Sequence, residues 1–382
     1  MARVGVQLTA CRHQFVDWSS LDLLRSCMLC EGGSSTLCHS TPCGLEHILI
    51  DRRTFATGLI CAAAGKAFLP TVHAQAADYG RILPPAPPRI STRVKKGHGA
   101  QGASTGRALS VSDAWWTDMW IGIKANDIKN LGPVRFRDVR LERYGPMIVM
   151  RGAPEIILDR IESIEGKPSS YGMGLLRATD RIGRLQASNL RFSGAREIDN
   201  ANDAFAAICL WGKGEDDVCT DWQITRFDFA NVVMKQGKRY RNADGISVER
   251  GHDDGLIEHG MIRNVSDAGI DCKGANCRIN QVEIAEARES LKLWDSSMRH
   301  GRIVSRSPRF AHIIIAGSGR PEPIVIDRLE CHGDPSRPVV AFEGAPRDVV
   351  IRTLIAPEGQ KLHSIAQRSK GSTLRVNGRS VL

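Results

Sequence analysis

The sequence predicts an all-β protein, a right-handed, single-stranded parallel β-helix of about nine or ten coils between residues 130 and 378. Three observations favour this fold class. Short apolar phrases recur every 20 to 25 residues. Within each phrase apolar and polar residues alternate, as in a β-strand, and the segments between the phrases lack the periodicity of a helix. One coil of this length cannot bury its apolar side chains alone, whereas stacked coils share a continuous core.

Two phrases carry the repeat. The first, apolar-x-x-apolar-x-apolar, begins at Phe136, Leu158, Ile224, Ile279, Ile326 and Ile351. The second, small-apolar-x-apolar, begins at Gly245, Gly269 and Ser290, and a less clear copy lies near Ala311. The three clear copies start 24 and 21 residues apart. Glycine, asparagine, aspartate and serine separate the segments, which is typical of tight turns between short strands.

Alternation along a strand places successive side chains on opposite faces of the sheet. We therefore expect these residues to point into the core: Ile246, Val248, Ile270, Cys272, Leu291 and Leu293. Their neighbours would point outward: Ser247, Glu249, Asp271, Lys273, Lys292 and Trp294. The rival fold is a β-sandwich, whose strands follow one another at about half this spacing. A phrase that repeats once per full turn favours the β-helix.

Composition and charge limit the partners. The chain has 382 residues and 42% hydrophobic residues, which is typical of a globular protein. Its formal net charge of +10 suits an acidic partner, such as an anionic polysaccharide, a membrane surface or nucleic acid, and the alternative is a protein that is merely basic. Arginine is spread along the chain and no nucleic-acid-binding motif is present, so nucleic acid is not an expected partner. We expect an anionic polysaccharide instead. The sequence does not indicate the oligomeric state.

Residues 46–76 resemble a twin-arginine (Tat) export signal. Arg52 and Arg53 precede a mostly small and apolar stretch, which ends in an A-x-A site at Ala74–Ala76. We expect cleavage after Ala76, the Tat export machinery as a partner, and a periplasmic or extracellular location. The apolar stretch is too short and too interrupted to span a bilayer, and we expect no other transmembrane segment.

The remaining chain divides into three parts. Residues 1–45 precede the expected signal, and we interpret them as a mis-assigned start, with a zinc site in their cysteine-rich stretch as the alternative. Residues 77–112 are rich in proline and glycine and predict a linker or irregular arm. Residues 113–382 form the predicted β-helix domain, with Trp115, Trp116 and Trp120 in an N-terminal cap. Tat cargo folds in a reducing compartment, so disulfides are not expected, and Cys272 is expected in the core.

Acidic residues stand at the start of three consecutive copies of the second phrase. Asp244 and Glu289 each precede their copy by one residue, and Asp267 precedes its copy by two. On coils about 4.8 Å apart, like charges raise one another's pKa, so one carboxyl group stays protonated while another is ionised. Two coils put Asp244 and Glu289 about 9.6 Å apart at the backbone, near the upper carboxyl separation of inverting glycosidases. Backbone bonding in turns is the structural alternative.

The stretch "NADGISV…LIEHGMI…SDAGIDCKG" resembles the polygalacturonase family of glycoside hydrolases, within the pectin lyase-like β-helix superfamily. The family motifs read "NTDGI", "DD" and "GHG", then "RIK". Asn242 and Asp244 match the first motif, and Asp267 matches the first acid of the pair. Ala268 replaces the second acid, Glu289 takes the position of the histidine, and no "RIK" follows. The resemblance implies polysaccharide hydrolysis, with Asn242 among the substrate-binding residues.

An outward patch on the same coils supports a second enzyme hypothesis. It combines acids, lysines and tryptophans: Glu249, Asp271, Lys273, Lys292, Trp294 and, on an earlier coil, Trp211. β-Helix polysaccharide lyases resemble this arrangement, since their acids bind Ca²⁺ and a basic residue removes the proton beside a uronate carboxylate. Lys273 or Lys292 would be that base if its pKa were lowered, and charge pairing is the alternative. Trp211 and Trp294 would stack on sugar rings.

The sequence thus predicts an exported carbohydrate-active enzyme that acts on an acidic polysaccharide, by hydrolysis or by β-elimination. For hydrolysis, the candidate acid/base residues are Asp244, Asp267 and Glu289. For elimination, Lys273 and Lys292 replace them and Ca²⁺ is the expected cofactor; no metal ligands are assigned for hydrolysis. The alternative from another class is a non-catalytic β-helix that binds polysaccharide or the cell envelope.

Overall fold

Successive coils of the chain contribute strands to two long parallel sheets. The computed structural model describes residues 80–91, 94–96, 106–118, 123–125, 131–167, 174–195, 205–212, 219, 221–235, 241–294, 299–318 and 322–382. They form a nearly all-β parallel solenoid of about nine turns, so the predicted fold class is confirmed.

The described strands, in chain order, are β1 (Val94–Lys96), β2 (Leu109–Thr117), β3 (Ile123–Ala125), β4 (Val134–Glu142), β5 (Ile148–Ala153), β6 (Ile156–Gly166), β7 (Leu176–Ile182), β8 (Leu185–Gly194), β9 (Phe205–Trp211), β10 (Trp222–Val232), β11 (Ala243–Val248) and β12 (Leu256–Val265). They continue with β13 (Ala268–Cys272), β14 (Arg278–Ala285), β15 (Glu289–Leu293), β16 (Arg299–Arg306), β17 (Ala311–Ile315), β18 (Ile324–His332), β19 (Val340–Phe342), β20 (Asp348–Ile355), β21 (His363–Ile365), β22 (Thr373–Val376) and β23 (Arg379–Ser380), with one 3-10 turn at Gln367–Ser369.

The strand order alternates between the two sheets. The thirteen-stranded sheet runs β1-β2-β4 and onward through the even-numbered strands to β22 and β23, and the ten-stranded sheet contains the odd-numbered strands from β3 to β21. Within the described residues every strand pair is parallel except the terminal β22–β23 pair. Immunoglobulin-type sandwiches pair their strands antiparallel, so the rival fold does not apply.

Long strands of the thirteen-stranded sheet bend at one residue with a left-handed backbone. Asp138 in β4 has a φ of 55° and Asn189 in β8 a φ of 56°. The residues that follow these bends pair in one register from strand to strand, so the bends are aligned. Left-handed backbone is uncommon outside glycine, and asparagine and aspartate tolerate it best. We call the aligned set the corner column: Asp113, Asp138, Arg160, Asn189, Arg226, His259 and Gln281.

The inward face of the ten-stranded sheet is a stack of aliphatic side chains. Ile246 pairs with Ile270, and Ile270 pairs with Leu291. All six side chains expected to point inward from these strands are fully buried core residues: Ile246, Val248, Ile270, Cys272, Leu291 and Leu293. Each fully buried aliphatic side chain contributes about 1.5–3 kcal/mol, so the stack is a major source of stability.

The glycines of the repeated phrase occupy positions without room for a side chain. A Cβ atom on Gly245 would lie 2.5 Å from the carbonyl oxygen of Gly269 and 2.7 Å from the Ile262 side chain. A Cβ atom on Gly269 would lie 2.4 Å from Ile284 and 2.7 Å from the carbonyl oxygen of Ser290. The phrase therefore repeats because, in successive coils, this strand passes close to a side chain of the thirteen-stranded sheet and to the backbone of the next coil, which leaves room only for a small residue.

A short polar chain lies inside the solenoid. The Ser290 and Ser305 hydroxyl oxygens are 2.6 Å apart, and Ser305 Oγ is 2.7 Å from Nδ1 of His312. On the same strand as Ser305, Nδ1 of His300 accepts a hydrogen bond from the Ile279 N–H. Burial lowers the pKa of His312 to about 4 and the pKa of His300 to about 3. Both imidazoles are therefore neutral in the folded protein at neutral pH.

Aromatic residues fill the first described coils. Trp116 lies 6.1 Å from the Phe136 ring and 6.0 Å from the Tyr144 ring. Trp115 lies outside them, with the Arg140 guanidinium 4.8 Å from its ring centre. Trp120, the expected export signal and residues 1–45 lie outside the described residues. In the part of the chain described here, no helix has the length and apolar character needed to cross a bilayer.

The described cysteines are free thiols inside the fold. They are Cys209, Cys219, Cys272, Cys277 and Cys331. Cys272 is completely buried within the apolar core, as expected of a small core side chain.

The neutral interior histidines predict a loss of stability in acid. Each binds a proton in the unfolded chain below about pH 6.5 but resists it in the folded state, so stability is complete above that pH and decreases as the pH falls towards 4. We expect His300→Asn and His312→Asn each to flatten this decrease by about 1.4 kcal/mol per pH unit, measured by denaturant unfolding.

Ser290→Ala is the control, because it removes a buried hydroxyl of the same chain without removing an imidazole. It is expected to lower stability by a similar amount at every pH. Asparagine variants that retain the full acid sensitivity of the parent protein would contradict the assignment.

Candidate active site

Asp244 and Glu289 lie on one column on the outward face of the ten-stranded sheet. The register of β11, β13 and β15 places Asp244, Ala268 and Glu289 on successive strands. Both carboxyl groups lie on the side of Lys292, a partly exposed residue whose positive charge acts on each of them. Asp244 Oδ1 accepts a hydrogen bond of 3.0 Å from the Ala268 N–H. Two strand spacings, about 9.6 Å, separate the Asp244 and Glu289 backbones.

Asp267 stands one residue before this column, and Arg288 connects it to Glu289. Nη1 of Arg288 lies 3.2 Å from Asp267 Oδ1 and 3.3 Å from Glu289 Oε1. The arginine also stacks on the Phe310 ring, with 4.9 Å between its Cζ atom and the ring centre. The three acids expected on neighbouring coils are thus brought together, and Asp244, Asp267 and Glu289 are only 2%, 0% and 0% exposed.

Lys292 occupies the centre of the cluster. Its Nζ atom lies 3.7 Å from Asp267 Oδ2 and 3.8 Å from Asp271 Oδ2. Asp271 and Lys292 are paired in register on β13 and β15, with Ser247 on the strand before them. Lys292 thus lies close to acids from both rows of outward side chains.

The predicted patch of acids, lysines and tryptophans forms the adjoining row. Nζ of Lys273 is 2.5 Å from Glu249 Oε1 and 3.7 Å from Asp271 Oδ2. Trp294 donates its indole N–H to Asp271 Oδ1 over 2.6 Å. The Nζ atoms of Lys273 and Lys292 lie 5.2 Å and 5.5 Å from the Trp294 ring centre. Charge pairing, the alternative role for these lysines, is therefore part of the structure.

Two further predicted substrate contacts lie at the edges of this surface. Trp211, two coils before Lys273, has the Arg177 guanidinium 5.2 Å from its ring centre. Asn242 directly precedes β11, and its carbonyl oxygen accepts a hydrogen bond from the Phe205 N–H. Asn242 thus stands two residues before Asp244, at the start of the same strand.

Burial and mutual repulsion hold protons on this cluster. Burial, with the negative charge of Asp267 added, raises the pKa of Glu289 to about 8. Burial and the charges of Asp271 and Asp267 raise the pKa of Asp244 well above its usual range. Burial also raises the pKa of Asp271, although Lys273 and Lys292 oppose that shift. The site therefore contains at least one carboxyl group that is protonated at neutral pH.

Ion pairs link most of the cluster. Four carboxyl groups lie within 4.0 Å of Lys273, Lys292 or Arg288, namely those of Glu249, Asp267, Asp271 and Glu289. Burial favours the protonated form of a carboxyl group. It is the main reason for the raised pKa of Glu289, and the charge of Asp267 acts in the same direction.

The lysines are held in their charged form. Burial lowers the pKa of Lys292, but the charges of Asp271 and Asp267 outweigh it, and the net effect raises the pKa. The pKa of Lys273 is raised in the same way, since Asp271 and Glu249 outweigh the effect of burial. A protonated lysine cannot accept a proton, so this environment favours binding of negative charge over the role of general base.

The acids do not form a metal-binding group. Among the described residues, no cluster of three or more His, Cys, Asp or Glu side chains is arranged to hold a metal ion. Glu249 and Asp271, the nearest oxygen donors on the outward face, pair with Lys273 instead. The Ca²⁺ expected for a lyase would have to displace this lysine.

A cavity elsewhere on the solenoid contains none of the predicted site residues. Its volume is about 580 Å³, and the residues that line it lie around the turn after β5 and the end of β7. Arg151 and Asp180 form an ion pair of 3.7 Å in its wall. The acid cluster lies outside this cavity, and its titratable groups with raised pKa values make it the candidate site.

Sequence reasoning did not include Arg288 or Phe310 in the site. Both lie close to a strand start, where a side chain's direction cannot be read from alternation. The sequence did contain an indication of Arg288, because this residue directly precedes the candidate acid Glu289 at the third copy of the second phrase.

Comparison with protein-family models, curated proteins and solved structures found no match to this chain.

A protonated Glu289 is directly testable. Infrared difference spectra should contain the C=O stretching band of a protonated carboxyl group that disappears with a midpoint near pH 8. We expect Glu289→Gln to abolish this titrating band. The exposed Glu322 provides the control, and Glu322→Gln should leave the band unchanged. A parent spectrum without a protonated carboxyl group at neutral pH would exclude the proposed proton on Glu289.

Proposed function

We propose that the protein is an exported carbohydrate-active enzyme that hydrolyses an acidic polysaccharide. The observation that carries this proposal is the pair Asp244 and Glu289, two coils apart on one outward column, with the pKa of Glu289 raised to about 8. Glycoside hydrolysis requires two carboxyl groups in different protonation states on opposite sides of the bond.

Glu289 is the general acid in this proposal. Its proton passes to the glycosidic oxygen as the bond to the anomeric carbon breaks. Asp244 is the general base in its ionised form, which the charge of Lys292 and the hydrogen bond from the Ala268 N–H favour against burial. It accepts a proton from the water whose oxygen forms the new bond to that carbon. The backbones of the two acids are about 9.6 Å apart, just above the roughly 6.5–9.5 Å between the carboxyl groups of inverting enzymes, so the two side chains must lean towards each other to reach that range. The expected product therefore has inverted anomeric configuration.

Asp267 and Arg288 are positioning residues for Glu289. The negative charge of Asp267 favours the protonated form of Glu289, whereas the positive charge of Arg288 favours its ionised form. Arg288 contacts both acids, so its position controls the balance between these effects. The pH dependence of hydrolysis would consequently follow this local charge balance.

Three cations at the edge of the acid cluster, Lys273, Lys292 and Arg288, favour an acidic substrate. Lys292 and Lys273 have side chains 17% and 19% exposed, and Arg288 has 34% exposed, so these groups are more accessible than the acids beneath. Ammonium and guanidinium groups bind uronate carboxylates, and the Trp294 and Trp211 rings provide faces for sugar stacking. The net charge of +10 would attract an anionic polymer over longer distances.

Hydrolysis is better supported than β-elimination. The lyase mechanism requires a neutral lysine, but neighbouring acids raise the pKa values of both candidates, Lys273 and Lys292. It also requires Ca²⁺, for which the described residues offer no cluster. Export through the Tat machinery, to the periplasm or the extracellular space, completes the proposal and rests on the signal-like sequence at 46–76.

One observation favours a second candidate, a non-catalytic polysaccharide-binding protein. Asp244 and Glu289 are almost completely buried, so the lysines, Arg288 and the tryptophans are the groups that a polymer meets first. In this case the acids would only fix the positions of the cations.

A panel of uronic-acid polymers separates the candidates. The mature protein is incubated with each polymer, with and without Ca²⁺, while reducing ends and ultraviolet absorbance of unsaturated uronates are followed. New reducing ends without unsaturated product support the hydrolase, whereas unsaturated product identifies a lyase. Retarded migration in polymer-containing gels, with neither product, identifies a binder and contradicts the hydrolase.

Site variants test the assigned roles. We expect Glu289→Gln and Asp244→Asn each to lower kcat by about 10²- to 10⁴-fold, because each removes a proton-transfer group. Lys292→Ala is expected mainly to raise KM for the anionic polymer, because it removes a binding charge and no proton acceptor. Glu322→Gln, on an exposed residue, is the control and should retain full activity. Full activity in Asp244→Asn would exclude the proposed base.

A further inference from the structure

Residues 80–91 run along the corner column without forming a strand or a helix. We call this segment the strap. Its backbone N–H groups donate to corner side chains: Ser91 to Asp113 Oδ1 over 2.5 Å, Arg89 to Asp138 Oδ1 over 2.8 Å, and Ala86 to Asn189 Oδ1 over 3.1 Å. The acceptors lie on β2, β4 and β8, so the strap crosses the coils instead of joining a sheet.

The prolines of the strap determine which backbone groups donate. In the sequence "PPAPPR", from Pro84 to Arg89, only Ala86 and Arg89 have a backbone N–H. These are the two groups that bind Asn189 and Asp138. Each proline fixes φ near −65° and restricts the preceding residue to extended conformations, which favours a polyproline II helix.

The periodicities of the strap and the solenoid match. A polyproline II helix has three residues per turn, so Ala86 and Arg89 present their N–H groups on the same side, about 9.3 Å apart. Their acceptors lie on β4 and β8, which are separated by two strand spacings, or about 9.6 Å. The strap can therefore engage both corner residues without stretching.

Neighbouring side chains hold the acceptors in place. Asp138 receives two hydrogen bonds from the Arg160 guanidinium, and Asn189 donates its amide to Asp159 Oδ1. Pro85 is buried, and its carbonyl oxygen accepts a hydrogen bond of 3.1 Å from Arg191 Nη2. The recognition surface thus combines fixed acceptors, an arginine donor and a site for one proline ring.

We propose that the corner column is a binding surface for polyproline-type segments, and that the strap occupies it as a separable ligand within the same chain. Strand residues are bonded on both sides by backbone groups, whereas these strap contacts use side chains, so the strap can leave without breaking a sheet. The left-handed corner backbone places one acceptor on each coil that the strap engages. This inference is independent of the proposed enzyme activity.

The first test removes donors while keeping the polyproline conformation. Ala86→Pro deletes the N–H that binds Asn189 but favours the same backbone helix, and Ala86→Ser retains the N–H as a matched control. Loss of one hydrogen bond should increase trypsin cleavage after Arg89 about tenfold, with Ala86→Ser close to the parent. Equal cleavage of both variants would contradict the proposal.

The second test supplies the strap in trans. A fluorescent peptide with the sequence of residues 80–91 should bind the full chain carrying Ala86→Pro and Arg89→Pro at least about tenfold more tightly than the parent, whose own strap occupies the surface. The same peptide with both proline substitutions should not bind. Absence of binding by the unsubstituted peptide would overturn the idea of a separable ligand.

Hydrogen exchange on the parent protein tests the contacts without any substitution. The amides of Ala86 and Arg89 should exchange at least about tenfold more slowly than in the free peptide of residues 80–91. Equal rates in protein and peptide would exclude these hydrogen bonds in solution. The result remains decisive even if the doubly substituted chain does not fold.

Discussion

Stacking of equivalent residues on successive coils, one strand spacing apart, is the constraint on which the rest of this structure depends. In a parallel pair, a residue meets its counterpart from the next coil, whatever its chemistry. Aliphatic residues gain from this arrangement, as in the column through Ile246 and Ile270. The same constraint brings acids together when they occupy the outward position, as Asp244 and Glu289 do on either side of Ala268.

The acid cluster follows from registry combined with burial. In water, carboxylates at this spacing would stay ionised, because the high dielectric constant weakens their repulsion. Here the acids are almost inaccessible, and burial together with the repulsion between neighbouring acids raises the pKa values of Glu289 and Asp244. Protonation then reduces the negative charge that the site has to hold. In a solenoid, the pKa of a carboxyl group therefore depends on which charged residues the sequence places at the matching positions of the neighbouring coils.

The sequence was sufficient for the register but not for all of the site. The phrases at Gly245, Gly269 and Ser290 revealed the stacking, since a close approach demands small residues at one point in each coil. The one-residue offset of Asp267 was visible, but its consequence was not, because bridging by Arg288 depends on side-chain direction at a strand start.

The strap was harder to recognise. Its prolines are equally typical of a linker, and its partners come from remote coils. The corner column was hidden for another reason. Arginine, histidine and glutamine at several of its positions give no local indication of a left-handed backbone.

The strap also constrains the order in which the chain can fold. Ala86 precedes its acceptor Asn189 by 103 residues, so that contact waits until β8, the fifth described strand of the thirteen-stranded sheet, has been formed. During synthesis from the N-terminus, the leading segment stays unattached while the first coils assemble. The strap can bind fully only after the coils that carry its acceptors have folded. Its binding is therefore a late step in the folding of this part of the solenoid.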